Sequence, residues 1–190
     1  VTLSCDRFRP SLREPLAVAA LIAVFRAAIR EGRLAPAVWS LQRTHCHMIV
    51  EASSPEELAR GMQGLAIRMA RAINRVFDRS GNLFSGRYHA TLISSSWTLR
   101  NMLRYVLLNY KKHERFGPLG PLIDPASSGP WFDGWADAPQ FVRPPGPPPV
   151  ATPRCPFLRD YWRMHAPIGL YEYPGRGRAI HILPSAITAP

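Results

Sequence analysis

Cysteine, acidic side chains and long apolar runs are what this chain has least of. Its three cysteines, Cys5, Cys46 and Cys155, lie far apart in 190 residues. That spacing supports neither a disulfide framework nor a Cys-x-x-Cys zinc site, and it fits a reducing cytoplasm. The apolar run Ala17 to Phe25 is followed by Arg26, Arg30 and Arg33, and it falls well short of the about 20 apolar residues that span a bilayer. Basic residues ahead of the run and Ala35-Pro36-Ala37 behind it imitate a signal peptide. Charged residues fill the gap, however, and Val18, Leu21, Ile22, Phe25 and Ile29 recur as one face of an amphipathic helix. There is no internal repeat, no phosphate-cradling glycine loop and no Gly-x-Ser-x-Gly elbow. Acids are scarce, with 13 Asp and Glu against 24 Lys and Arg, and the net charge of +11 favours a polyanionic partner. With 46% hydrophobic residues, the chain can bury one core and a modest appendage. It opens on Val1 in an apparent strand, which reads as a missing N-terminus.

Periodicity organises what is present. Strands are expected at Val1 to Cys5, Val38 to Gln42, His45 to Ala52 and Arg87 to Ile93, with helices at about Glu14 to Arg30 and Pro55 to Phe77. A further helix follows around Leu99, Leu103, Val106 and Tyr110, which recur at helical spacing. The β-α-β-β-α-β order predicts an α+β fold, a ferredoxin-like or RRM-like antiparallel sheet, with the added C-terminal helix carrying Tyr105. Ser54-Pro55-Glu56-Glu57 starts its helix with an N-cap, a proline at the first position and acids in the first turn. Leu58, Met62, Leu65, Met69 and Val76 are expected to face the core, while Arg68, Arg71, Arg75 and Arg79 recur on another face with no acid between Glu57 and Asp78. That is a basic ridge suited to phosphates. Residues 1–136 read as one catalytic domain and 137–156, with eight prolines from Pro139 to Pro156, as an extended linker. Residues 157–190 read as a short basic, aromatic tail, with one helix possible over Phe157 to His165 that docks on the domain or on DNA.

Chemistry concentrates in two places. On a strand His45, His47 and Ile49 share one face and Cys46, Met48 and Val50 the other, so two imidazoles project side by side as a divalent ion requires. Tyr105 lies roughly 130° round its helix from the apolar stripe, with Asn101 and Asn109 beside it. A tyrosine kept only for packing falls on the stripe, as Tyr110 does. Glu51 on the histidine strand reads as structural, and His89 and His113 as satisfied or solvated.

The order of these segments resembles the single-tyrosine HUH transposases, in particular the REP-associated tyrosine transposase branch of the IS200-like family. The resemblance rests on Gln42 to Ala52, Arg60 to Leu65, Asn82 to Ala90 with Gly86-Arg87-Tyr88-His89, Tyr105-Val106-Leu107-Leu108-Asn109 with Lys112-His113, and Pro130-Trp131-Phe132-Asp133-Gly134-Trp135. It covers residues 1–136. Many relatives have Asn before the first histidine and an aliphatic residue between the pair, where this chain has Thr44 and Cys46. The resemblance implies metal-dependent cleavage and rejoining of single-stranded DNA beside hairpin, REP-like sequences, through a 5′-phosphotyrosine on Tyr105. It implies His45, His47 and Asn109 as ligands of Mg or Mn, and DNA transposition by a monomer or homodimer in the bacterial cytoplasm, associated with the nucleoid. Arg68, Arg71, Arg75, Arg79, Arg87, Lys111 and Lys112 are the expected DNA contacts. Three rivals stand beside this reading. An RNA-binding sheet needs exposed aromatics that the His45 strand lacks, and a two-histidine phosphodiesterase needs a second His-x-Ser/Thr motif. A catalytically inactive, domesticated nucleic-acid-binding protein of the same fold needs neither.

Overall fold

The computed structural model describes residues 1–5, 11–113, 121–136 and 143–174. The order is β1 (Thr2–Ser4), α1 (Pro15–Arg30), β2 (Pro36–Leu41), β3 (His45–Val50), α2 (Pro55–Val76), α3 (Ser96–Leu108) and α4 (Tyr110–His113). A 3-10 turn at Gly129–Trp131, a short α5 (Pro156–Arg159) and a second 3-10 turn at Tyr161–Met164 follow. The fold is α+β, with a three-stranded antiparallel sheet in the order β1-β3-β2.

Strand parity sets the layers. On β3, Cys46 and Met48 point to one face, where they join Leu3, Trp39 and Leu41 against Leu21 and Phe25 of α1 and Met62, Leu65, Met69 and Ile73 of α2. Cys46 is a buried free thiol, and burial pushes its pKa up, so it packs as a small hydrophobe. Ile49 and Val38 instead join Leu99, Leu103, Val106 and Leu107 of α3 in a second core. The sheet therefore lies between an α1/α2 layer and α3, and His45 and His47 belong to the α3 face.

Helices α2 and α3 begin where capping residues place them. Ser54 Oγ accepts from Glu57 N and Ser95 Oγ accepts from Thr98 N, each at 3.1 Å. One core expectation changes: Ile73 is buried, and Val76 is exposed. At 22 residues α2 runs about 33 Å, whereas a six-residue strand covers about 20 Å, so the last turn of α2 overhangs its support.

The expected strand at Arg87 to Ile93 is reduced to one antiparallel bridge, His89 with Thr2, closed by hydrogen bonds of 2.8 and 2.9 Å. The reason is the partner. β1 has only three residues, and its Ser4 carbonyl already accepts from Ser85 N. At the other edge, Ala126 to Ser128 cover β2: Leu41 N donates to Ala126 O and Ser128 N to Trp39 O. Arg13 anchors that cover through a bidentate pair with buried Asp124, at 2.9 and 2.7 Å.

The proline-rich segment, of which 143–156 lies within the described residues, is strapped to the domain. Arg26 donates to the carbonyls of Pro145 and Pro147, Trp39 Nε1 donates to Pro149 O, and the Glu51 carboxylate accepts from Arg154 N and Cys155 N. The tail continues over α3. Phe157 to His165 is two short turns rather than one helix, broken at Asp160. Trp162, Ile168 and Leu170 are buried there, and Ile168 pairs backbone to backbone with Gly134 and Ala136. The rest of the expected tail, 175–190, lies outside the described residues.

Candidate active site

Two elements bring the candidate residues together. β3 presents His45 and His47 with ring centroids 4.7 Å apart. α3 lies across that face and sets the Tyr105 ring edge-on to His47 at 5.2 Å. Asn109, one turn past Tyr105, keeps helical backbone angles, and Lys112 N donates back to its carbonyl at 2.9 Å. The helical path thus carries on into α4, which places the His113 ring 5.3 Å from His45 and the Lys112 ammonium 4.5 Å over the Tyr105 ring.

The polar atoms here are unusual. His47 is 8% exposed, and its Nδ1 shares a 3.0 Å hydrogen bond with Thr2 Oγ1. In the tautomer in which Nδ1–H donates to that hydroxyl, the lone pair stands on Nε2, which is buried with no hydrogen-bond partner. Asn109 is fully buried, and both its Oδ1 and Nδ2 are likewise without a partner. Burying such an atom unpaired costs about 1–3 kcal/mol, and native folds hold few of them. Burial, then the neighbouring charge of His45, pushes the His47 pKa down to about 3, so the ring is neutral at pH 7. The Lys112 pKa is lowered by burial, then by Arg104.

The remaining expected contacts scatter. Arg71 and Arg75 are exposed and Arg68 half-buried on α2, in the helix layer on the opposite side of the sheet from the histidines, while Arg79, half-buried, lies past the end of that helix rather than on its ridge. They do not share the histidine face. Arg87 is exposed two residues before the His89 bridge. Lys111 does not face open solvent: its ammonium donates to the carbonyls of Leu170 and Glu172 in the tail. Glu172 also binds Arg100 and Arg104, and the Arg100 hydrogen bonds bring its carboxyl down to about 2.

Three neighbours of the site went unassigned or were given another role in sequence. Thr2 orients His47, and Lys112 and His113 reach the site from α4. The spacing Tyr105, Asn109, His113, every fourth residue, places all three along one helical face and is a signal for His113. Thr2 carries no such signal, because register alone sets it opposite His47.

Compared with models of protein families, with curated proteins and with solved structures, the chain matches none.

Proposed function

We propose that this chain is a single-tyrosine HUH-type enzyme that cuts and rejoins single-stranded DNA, acting beside hairpins of the REP-like kind in DNA transposition. The observation that carries the reading is the pair of orphaned buried groups, His47 Nε2 and the Asn109 amide, beside a tyrosine ring that touches His47. Counting the Thr2–His89 bridge as a vestigial fourth strand extends the order to bridge-β1-β3-β2, which supports a ferredoxin-like sheet with the tyrosine helix added to its open face.

His45, His47 and Asn109 would hold a divalent cation, Mg or Mn. The Asn109 amide oxygen, buried without a partner, would be the third protein ligand. When bound, the cation supplies positive charge to the non-bridging phosphate oxygens. In this reading the remaining steps fall to the protein's own residues. Tyr105 Oη attacks phosphorus, the Oη–P bond forms as the P–O3′ bond breaks, the phenolic proton leaves and the 3′-oxygen takes one up. Lys112 over the ring holds the tyrosine by a cation–π contact. The bond energy stays in the ester, so a second 3′-hydroxyl reverses the step and joins strands.

The test is Tyr105→Phe, which removes only the attacking oxygen. With hairpin-bearing single-stranded oligonucleotides and Mn, wild type should form a covalent protein–DNA adduct on a denaturing gel, and the variant none. Binding of the same oligonucleotides should change less than about threefold, because the ring and its contacts stay. An adduct in the Phe variant would move the nucleophile elsewhere. Binding without any wild-type adduct would favour the inactive DNA-binding protein.

A further inference from the structure

Away from the histidines, at the N-terminal end of α3, a cavity of about 230 Å³ opens between the Asp133 to Trp135 turn and the tail, lined by Trp135, Trp162, Arg163, His165 and Asp133 among others. It is smaller than the roughly 300–1,000 Å³ of sites for drug-sized ligands, so it suits one flat ring system. Its walls are aromatic. Trp162 lies tilted over Phe132 at 5.3 Å, and Arg163 lies over the Trp162 ring at 4.5 Å. Gly134 makes this packing possible, since a Cβ there would sit 2.1 Å from the Trp162 ring.

The rim is polar in a particular way. Arg163 Nη2 donates to both carboxylate oxygens of Asp133, each at 2.8 Å, which sets a carboxylate and a guanidinium side by side. Among the described residues that line the cavity, a bare phosphate meets no cation without a carboxylate beside it, because the guanidinium faces Asp133. A heterocycle with both donors and acceptors on its edge is matched by both. Next to the rim stands Trp97, 59% exposed, with its ring 5.2 Å from His165, whose Nε2 is hydrogen-bonded to Ser96 Oγ at 2.9 Å. Trp97 precedes Tyr105 by eight residues of the same helix, about 12 Å along its axis.

We propose that this cavity, with Trp97 at its edge, is a nucleobase-binding subsite that holds an unstacked base of single-stranded DNA one helix-length segment away from Tyr105. The inference rests on the single-stranded DNA reading above and adds where a base is gripped. Stacking on the exposed Trp97 ring holds any base, and the Arg163–Asp133 edge discriminates among them.

The experiment compares the full chain's affinity for oligo(dT) and oligo(dA) 12-mers with that for an abasic 12-mer of equal phosphate count, by fluorescence anisotropy at one salt concentration. Wild type should favour at least one base-bearing oligomer by about fivefold or more over the abasic one. In Trp97→Ala combined with Arg163→Lys, which keeps the charge but loses the planar fork, that ratio should fall about fivefold while abasic affinity stays within about twofold. A ratio that is large in wild type and unchanged in the variant overturns the subsite and leaves the DNA reading standing. Absence of binding to every 12-mer by wild type overturns the DNA reading, and the subsite with it.

Discussion

The buried polar atoms of His47 and Asn109 are a cost to this fold. A buried amide with neither oxygen nor nitrogen satisfied is worse for stability than an apolar side chain of the same shape. Asn109→Leu should therefore raise the stability of the chelator-treated protein, by about 1–3 kcal/mol in urea unfolding, while Mn affinity measured by calorimetry is lost. A destabilised leucine variant would mean that Asn109 has partners that make it structural. His47 gives a pH signature. Its pKa is about 3 in the fold and about 6.5 when unfolded, so the unfolded chain binds the proton and the fold resists it. The stability tied to the neutral ring is complete above about pH 6.5 and is lost as pH falls toward 3. Between pH 7 and 5 the metal-free protein should lose on the order of 2 kcal/mol through this side chain. His47→Gln should lack that part of the decline in urea midpoints taken at the two pH values, and equal declines in both proteins would mean that the ring already protonates in the fold.

At the scale of elements, the tail is as much a part of the second core as α3. Trp162 is buried against α3 and Phe132, so Trp162→Ala should cost about 3–5 kcal/mol, read as a shifted denaturant midpoint in one cooperative transition. A shift below about 1 kcal/mol would make the tail a loosely attached strap. The tail also shows what was legible in the sequence. Hydrophobic period marked α1, α2 and α3, because each buries one face and so repeats at 3.6 residues, whereas β2 and β3, buried on both faces of the sheet, were marked by β-branched and aromatic content. Arg100, buried in α3, breaks the pattern: its charge is met by Glu172, from 72 residues away, a distance no periodicity reports. The fourth strand misled for the opposite reason. Thr91, Leu92 and Ile93 have strand character, but pairing depends on the length of the partner, and β1 has little to offer. At the candidate site, strand parity predicted that His45 and His47 share a face and helical angle set Tyr105 off the apolar stripe, whereas the role of Asn109 came from the resemblance alone, and Lys111 and Lys112 read alike as basic surface. Only the tertiary fold separates them, one held by tail carbonyls and the other over the tyrosine.

At the scale of the molecule, the sheet separates the exposed arginines of α2 from the candidate site. The candidate site lies on the α3 face, while exposed Arg71 and Arg75 stand on α2 across the sheet. With a net charge of +11, phosphate neutralisation and counterion release should dominate the affinity for single strands, with log K falling against log salt by about 0.7 per contact. If the DNA runs round the domain to α2, Arg71→Ala combined with Arg75→Ala should flatten that slope by about one unit or more and weaken all sequences about equally. Cleavage of DNA already bound should keep its rate, because neither arginine is on the face that carries Tyr105. Measuring anisotropy from low to moderate salt, and adduct formation at saturating protein, separates the two effects. An unchanged slope would confine the DNA to the α3 face and leave the ridge as solvated surface. A slower adduct at saturation would instead show that phosphate contacts on α2 set the position of the scissile bond beside Tyr105, so that the two faces act on one continuous strand.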